Sequence, residues 1–151
     1  MIRLSKKLLF AIEAVLDIAF NAGGKPVQAS EITRRQGIPR RYLEQVLQAL
    51  VHAGILAGQR GPKGGYRLAR ERRRISVGDI IRVVRQIETA PDPVTETPAS
   101  PLGHRVVRPL WLELQASLMA QLDATSIEDL CERAQSAKLA PEITETHDFT
   151  I

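Results

Sequence analysis

Arg41, Glu44, Gln45 and Gln48 recur at helical spacing, and a glycine-rich stretch carrying Arg60, Lys63 and Tyr66 follows shortly after them. Guanidinium, carboxylate and amide groups in a row are the groups that hydrogen-bond base edges, and cationic tips on a loop are suited to phosphate. Covalent catalysis has no comparable set. His52, His104 and His147 lack nucleophile partners. Gly61-Pro62-Lys63-Gly64-Gly65 holds the residue types of a phosphate cradle without its full G-x-x-x-x-G-K-[ST] spacing. Cys131 stands beside Glu128, Asp129 and Glu132, acids that disfavour a thiolate, so it reads as a small packing residue. No residue set is assigned to catalysis or to a metal.

The polar row needs a helix to hold it. Leu43, Val46, Leu47, Leu50 and Val51 supply the opposite, core-facing stripe. Ile38-Pro39 forms a turn before this helix, and Gly54 stands at its C-terminal cap. Ile55 and Leu56 lead into a strand, Arg60 to Gly65 make a turn, and Tyr66-Arg67-Leu68 forms a second strand. Upstream, Ser5 to Ala22 forms an amphipathic helix with Leu8, Ile12, Val15, Leu16 and Ala19 inward. Ser5 is its cap, and Lys6 and Lys7 lie in its first turn. Cations are disfavoured there by the helix dipole unless a phosphate is near. Gly23-Gly24-Lys25-Pro26 ends this helix. Val27 to Ala29 forms a short strand, and Ser30 caps a second helix that ends at Gly37. Helix, turn, helix and basic hairpin together are the layout of a winged helix-turn-helix: one helix for the major groove, and a wing for the backbone or the adjacent minor groove.

Downstream, Arg70 to Arg74 reads as a solvated loop, and Ser76 with Asp79 boxes the start of a helix running through Ile87. Residues 88–104 hold four prolines and no periodicity, as a linker would. A long helix from about Pro109 to Leu122 places Leu110, Trp111, Leu114, Leu118 and Leu122 on one broad face, more apolar surface than a small domain covers. That face is expected to be a homodimer interface. Thr125 with Glu128 would box a last helix. The expected organisation is a DNA-binding domain over residues 1–87, the linker over 88–104, dimerisation helices over 105–135 and a disordered tail over 136–151. The fold class is mainly α with a small β-hairpin wing: a winged helix-turn-helix plus a long C-terminal dimerisation helix.

Tyr42-Leu43-Glu44-Gln45 with Leu50 and Gly54, then Arg60-Gly61-Pro62 and Gly64-Gly65-Tyr66, resembles the Rrf2 family of bacterial transcription regulators. Arg3-Leu4-Ser5, Phe10-Ala11, Ile75 to Ile81 and Leu110-Trp111 fit the same family, so the resemblance spans residues 2–131. It implies a DNA-binding regulator, a repressor reading a palindromic operator. Glu44, Gln45 and Arg60 match the family's base-reading positions, and Arg40, Arg41, Tyr42, Lys63 and Tyr66 are expected on backbone phosphates. Lys6 and Gln48 complete the expected DNA-binding set. Arg40 and Arg41 stand where smaller residues are common in the family. Members that sense iron or nitric oxide bind an iron–sulfur cluster through three cysteines before the dimer helix. Residues 88–109 have none, and the family's histidine ligand position is Arg108 here. Those ligands are not carried over, and no cofactor is expected.

Charge sharpens this reading. The net charge is only +4, yet residues 1–75 hold 15 Lys or Arg against 5 Asp or Glu, and residues 76–151 hold 6 against 12. Only the front half suits a polyanion, and double-stranded DNA is the expected partner. Aromatics make up 4% of a chain that is 44% hydrophobic, which suits a helical core of Leu, Ile, Val and Ala. No apolar run reaches membrane-spanning length, so no membrane partner is expected. The single cysteine suits a reducing cytoplasm. A second reading from the resemblance is a cluster-free regulator that binds DNA only with a partner protein or with a small-molecule or metal effector.

Overall fold

Ser5 starts the first helix: its Oγ accepts from the Leu8 backbone N–H at 3.2 Å. In the computed structural model, which describes residues 5–88, 97 and 99–142, α1 runs Lys6–Asn21 and buries Leu8, Ala11, Ala14, Val15 and Ile18. Asp17 is buried with them. Gly23 and Gly24, both at positive φ, turn the chain toward α2 (Ala29–Gln36). Ser30 was expected as the α2 cap, but the cap is Gln28, whose N–H donates to Glu31 Oε2 at 2.9 Å. A pairing upstream accompanies the earlier start: Val27 bridges to Tyr66, and the backbone leaves extended geometry after the cap residue Gln28. Gly37 closes α2 in the left-handed region at φ 66°, and buried Ile38 and Pro39 turn into α3 (Arg40–His52).

Leu43, Val46, Leu47 and Leu50 of α3 are fully buried. Val51, expected with them, is 36% exposed and looks toward the hairpin. Gly54, at φ 77°, reverses the chain into β1 (Leu56–Gln59), which pairs antiparallel with β2 (Gly65–Leu68), Leu56 opposite Leu68 and Gln59 opposite Gly65. Val27 adds a third, one-residue rung: its N–H donates to the Tyr66 carbonyl at 2.8 Å, and the Tyr66 N–H donates back at 2.7 Å. Gly65 permits this approach, since a Cβ there would lie 2.5 Å from the Val27 carbonyl oxygen.

A single 3-10 turn (Arg72–Arg74) leads to α4 (Val77–Ile87), boxed as expected by Ser76 and Asp79 with both bonds at 3.0 Å. Residues 89–96 and 98, most of the expected linker, lie outside the described residues. The part that is described is not all irregular. Ser100 caps a helical run that begins at Pro101 and passes through a π-helical turn (Gly103–Val107) into α5 (Arg108–Asp123). Pro at the first helical position needs no hydrogen-bond partner for its nitrogen, so a proline-rich composition concealed a helix start.

The last helix, α6 (Ile127–Ser136), is boxed by Ser126 and Asp129, one residue later than the expected Thr125 and Glu128. Both pairs satisfy the capping pattern. The choice is made by a bridge between Ser76 and Ser126, in which Val77 N–H donates to the Thr125 carbonyl and Ile127 N–H to that of Ile75. Ile127 and Cys131 are thereby buried in the same core as α1, α3 and α4. Beyond α6 the chain turns back through Lys138, at φ 62°, to Glu142, which accepts from Arg34 at 3.0 Å and Arg35 at 3.3 Å. The rest of the expected tail, residues 143–151, lies outside the described residues.

Candidate nucleic-acid interface

The exposed face of α3 presents Arg40, Arg41, Glu44, Gln45 and Gln48. Arg40 Nε donates to Glu44 Oε1 at 3.1 Å, a pair with 70% and 56% of its side chains exposed. Exposed pairs at this spacing contribute only a few tenths of a kcal/mol, about 0.3–0.5. Both residues can therefore be recruited by a ligand at small cost. Arg41, Gln45 and Gln48 make no side-chain bond among the described residues, and their donors face solvent.

The wing stands beside the C-terminal end of α3. Gln28, Val51, Gln59, Arg60 and Tyr66 line the groove between the hairpin, the start of α2 and the end of α3. Arg60 and Lys63 are exposed at the wing tip. The tip is a tight backbone loop: Gly61 sits at φ 106°, and the buried Gly64 donates to the Gly61 carbonyl at 2.9 Å. Gln28 Nε2 reaches the Pro62 carbonyl at 3.3 Å and ties the wing to α2. The Arg67 guanidinium donates across the hairpin to Gln59 Oε1 at 2.6 Å. Sequence reasoning passed over Gln28 because its partner lies 34 positions away.

One expected phosphate ligand, Tyr42, has its hydroxyl engaged elsewhere. The half-buried Tyr42 donates its hydroxyl to the Lys7 carbonyl at 2.6 Å, and its ring lies 6.1 Å from that of Phe10. Burial first, and the Glu88 carboxylate second, push its phenol up to about 12. Tyr66 packs its ring against the core, with its backbone in the hairpin and in the Val27 bridge. Lys6 is exposed on the first turn of α1. The arginine run after the wing is largely neutralised: Arg72 donates to Glu128 at 2.5 Å, Arg73 to Glu71 at 2.6 Å, and Arg70 lies 4.0 Å from Asp79.

The expected dimer face is apolar and uncovered over most of its length. Leu110, Trp111, Leu114 and Leu118 are between 43% and 53% exposed, and Leu102, Val106 and Val107 continue the apolar surface onto the π-helical turn. Leu122 departs from the expectation: it packs against the core with Met119, at the end of α5 that touches α4. Gly78 makes that junction possible, because a Cβ on it would collide with the Asp123 carboxylate.

Comparison with known proteins now gives the family. Residues 4–133 match the model of Rrf2, described as an iron-dependent transcriptional regulator. The chain belongs to the Rrf2 family. It is 34% identical over 128 residues to the HTH-type transcriptional regulator IscR of Aliivibrio salmonicida, covering 85% of this chain and 76% of that one. It is 29% identical over 133 residues to the protein rrf2 of Nitratidesulfovibrio vulgaris, covering 87% and 89%. Among solved structures, IscR of T. potens matches with a TM-score of 0.73 and 34% identity over 93% of both chains, and CymR, the global cysteine regulator of B. subtilis, with 0.71 and 30% over 88% and 98%. The Rrf2 chain is a DNA-binding transcription regulator with a winged-helix fold, and not an enzyme. Rrf2 regulators bind DNA and are typically dimeric. Among the described residues no helix is long and apolar enough to cross a membrane.

The family's iron dependence bears on whether these residues can hold an iron–sulfur cluster. Such clusters are held by several thiolates. This chain has one cysteine, Cys131, buried on α6 with its thiol pushed up by desolvation against a smaller opposing pull from Arg72. Among the described residues no group of three His, Cys, Asp or Glu side chains converges. The donor set does not fit a cluster.

Proposed function

We propose that this Rrf2 protein is a cytoplasmic, homodimeric repressor that reads a palindromic operator without an iron–sulfur cluster. The observation that carries the reading is a pair of exposed polar surfaces: the unbonded side chains of Arg41, Gln45 and Gln48 on α3, and Arg60 and Lys63 on a tight glycine-turned wing tip next to it in the chain. In this reading Glu44 accepts from cytosine amino groups, and Gln45 and Gln48 read adenine edges. Arg60 enters a narrow minor groove. Arg40, Arg41, Lys63 and Lys6 hold phosphates. Two copies joined along Leu110, Trp111, Leu114 and Leu118 of α5 would present two such surfaces to two half-sites.

The test is selection of genomic DNA fragments by the purified protein alone at two salt concentrations. Recovery of one near-palindromic site with steep salt dependence is expected. Recovery of random fragments only would overturn the reading of autonomous operator recognition. A second reading, in which a partner protein or a small-molecule or metal effector is required, draws on Leu102, Val106 and Val107, which extend the apolar surface of α5 onto the π-helical turn. π-Turns within helices are frequent at functional sites.

A further inference from the structure

The first turn of α1 is held in an unusual way. It contains Lys6 and Lys7 and no acidic residue, the wrong charge for a helix N-terminus. Two hydroxyls fasten it to other parts of the fold. Ser5, which caps the helix, donates its own proton to Glu88 Oε1 at 2.9 Å, so the missing carboxylate comes from the end of α4, 83 residues along the chain. Tyr42, in the first turn of α3, donates to the Lys7 carbonyl at 2.6 Å, and the Lys7 ammonium lies 5.8 Å above the Tyr42 ring. A phenol has one proton to donate. With that proton on a carbonyl 2.6 Å away, the hydroxyl has none for a phosphate.

We infer that Tyr42 and Glu88 are positioning residues of the DNA interface: between them they hold the first turn of α1 against the start of the recognition helix, so that Lys6 and Lys7 form a phosphate-contacting pair beside α3. The inference deepens the proposed function and rests on it. It also gives the end of α4 a say in DNA affinity. Glu88 is the last residue described before residues 89–96, and whatever moves it moves the α1 cap.

The experiment measures affinity for a labelled random-sequence duplex and for a selected genomic fragment across a salt series. The full-length wild type is compared with Tyr42→Phe, Glu88→Ala, Glu88→Gln and the double variant Lys6→Ala/Lys7→Ala. Tyr42→Phe keeps the ring and removes only the hydroxyl. It is expected to weaken both duplexes by a similar factor, on the order of 10-fold at low salt, and to lower the slope of log affinity against log salt by about 1–2, as the lysine double variant does. Adding Tyr42→Phe to the lysine double variant should cost nothing more. Glu88→Ala should behave like Tyr42→Phe, and Glu88→Gln, which can still accept from Ser5, should recover most of the loss. An unchanged slope in Tyr42→Phe, or a loss additive with that of the lysine variant, would overturn the inference and leave operator reading intact. Wild-type protein that binds neither duplex would overturn both. Should Tyr42→Phe melt early, the Glu88→Ala and Glu88→Gln pair decides by the same slopes.

Discussion

Arg35 of α2 grips Asp17 of α1 through two parallel bonds, 2.9 Å from Nε to Oδ2 and 2.8 Å from Nη2 to Oδ1. Gln36 Nε2 adds a third bond to the same carboxylate at 2.8 Å. The Asp17 side chain is 0% exposed and that of Arg35 only 10%. The Asp17 bond raises the Arg35 guanidinium further above its ordinary value, so Arg35 stays cationic. This clamp sets the angle at which α2, and through residues 37–39 the recognition helix, leaves the core.

Breaking the clamp should be costly, and unequally so. Asp17→Asn leaves Arg35 with Glu142 at 3.3 Å and solvent nearby. Arg35→Leu leaves a fully buried carboxylate with Gln36 alone. We expect a loss of about 3 kcal/mol for the first and about 4–5 kcal/mol for the second, read from urea unfolding at neutral pH. The reverse order, or losses under about 1 kcal/mol, would mean that the clamp does not hold α2.

At the wing tip, Arg60→Ala should weaken binding to the selected site by about 1–3 kcal/mol and binding to random DNA much less. Competition between the two duplexes reads the difference directly. Equal loss on both would reduce Arg60 to a phosphate contact.

Leu114→Glu with Leu118→Glu places two charges on the exposed face of α5, away from the core. Sedimentation should then show monomers where the wild type is dimeric, with the melting of the core little changed and operator affinity reduced. A double variant that sediments as the wild type does would place the dimer contact elsewhere.

Protein purified without oxygen should be colourless and free of iron and sulfide, since one buried thiol cannot ligate a cluster. Stoichiometric iron with acid-labile sulfide would contradict this.

Tyr42 offers a pH signature. Its phenol is raised from 10.0 to about 12 in the folded state, chiefly by burial. The folded form thus holds this proton more tightly than the unfolded form. The associated stability is fully present below pH 10 and is lost as pH rises toward 12. Near-ultraviolet phenolate absorbance should show a step near 12 that Tyr42→Phe abolishes.

Much of this was legible from periodicity. The stripes of α1, α3 and α4 lie where the apolar residues recur, and the Gly54 turn and the hairpin follow their glycines. What escaped depends on distant partners. Asp17 reads as a polar interruption of an apolar run until Arg35, 18 residues later, is folded against it. Tyr42 reads as a phosphate ligand until its hydroxyl meets a carbonyl 35 residues earlier. The α2 and α6 caps each missed their true start: the backbone pairing of Val27 accompanies the first, and that of Ser126 decides the second between sequence-equivalent choices. Leu122 shares the spacing of Leu114 and Leu118, yet it sits at the end of α5 that touches α4 and packs against the core.

The return of α6 to the core changes how the chain can be cut and recombined. Ile127 and Cys131 fill space between helices encoded more than forty positions earlier. A gene fragment ending at Ile87 would therefore encode a body with a vacancy in its wall, and a chimaera built on it would inherit that defect. Leu102, Val106, Val107, Leu110, Trp111, Leu114 and Leu118 are exposed, and α5 rejoins this body where Met119 and Leu122 pack against the core ahead of the Ser76–Ser126 bridge. The exposed apolar run ahead of that junction is the part of α5 and its π-helical turn that the core does not constrain. New sensing chemistry can be grafted there, by evolution or by design, while the reading head and its supports keep their sequence.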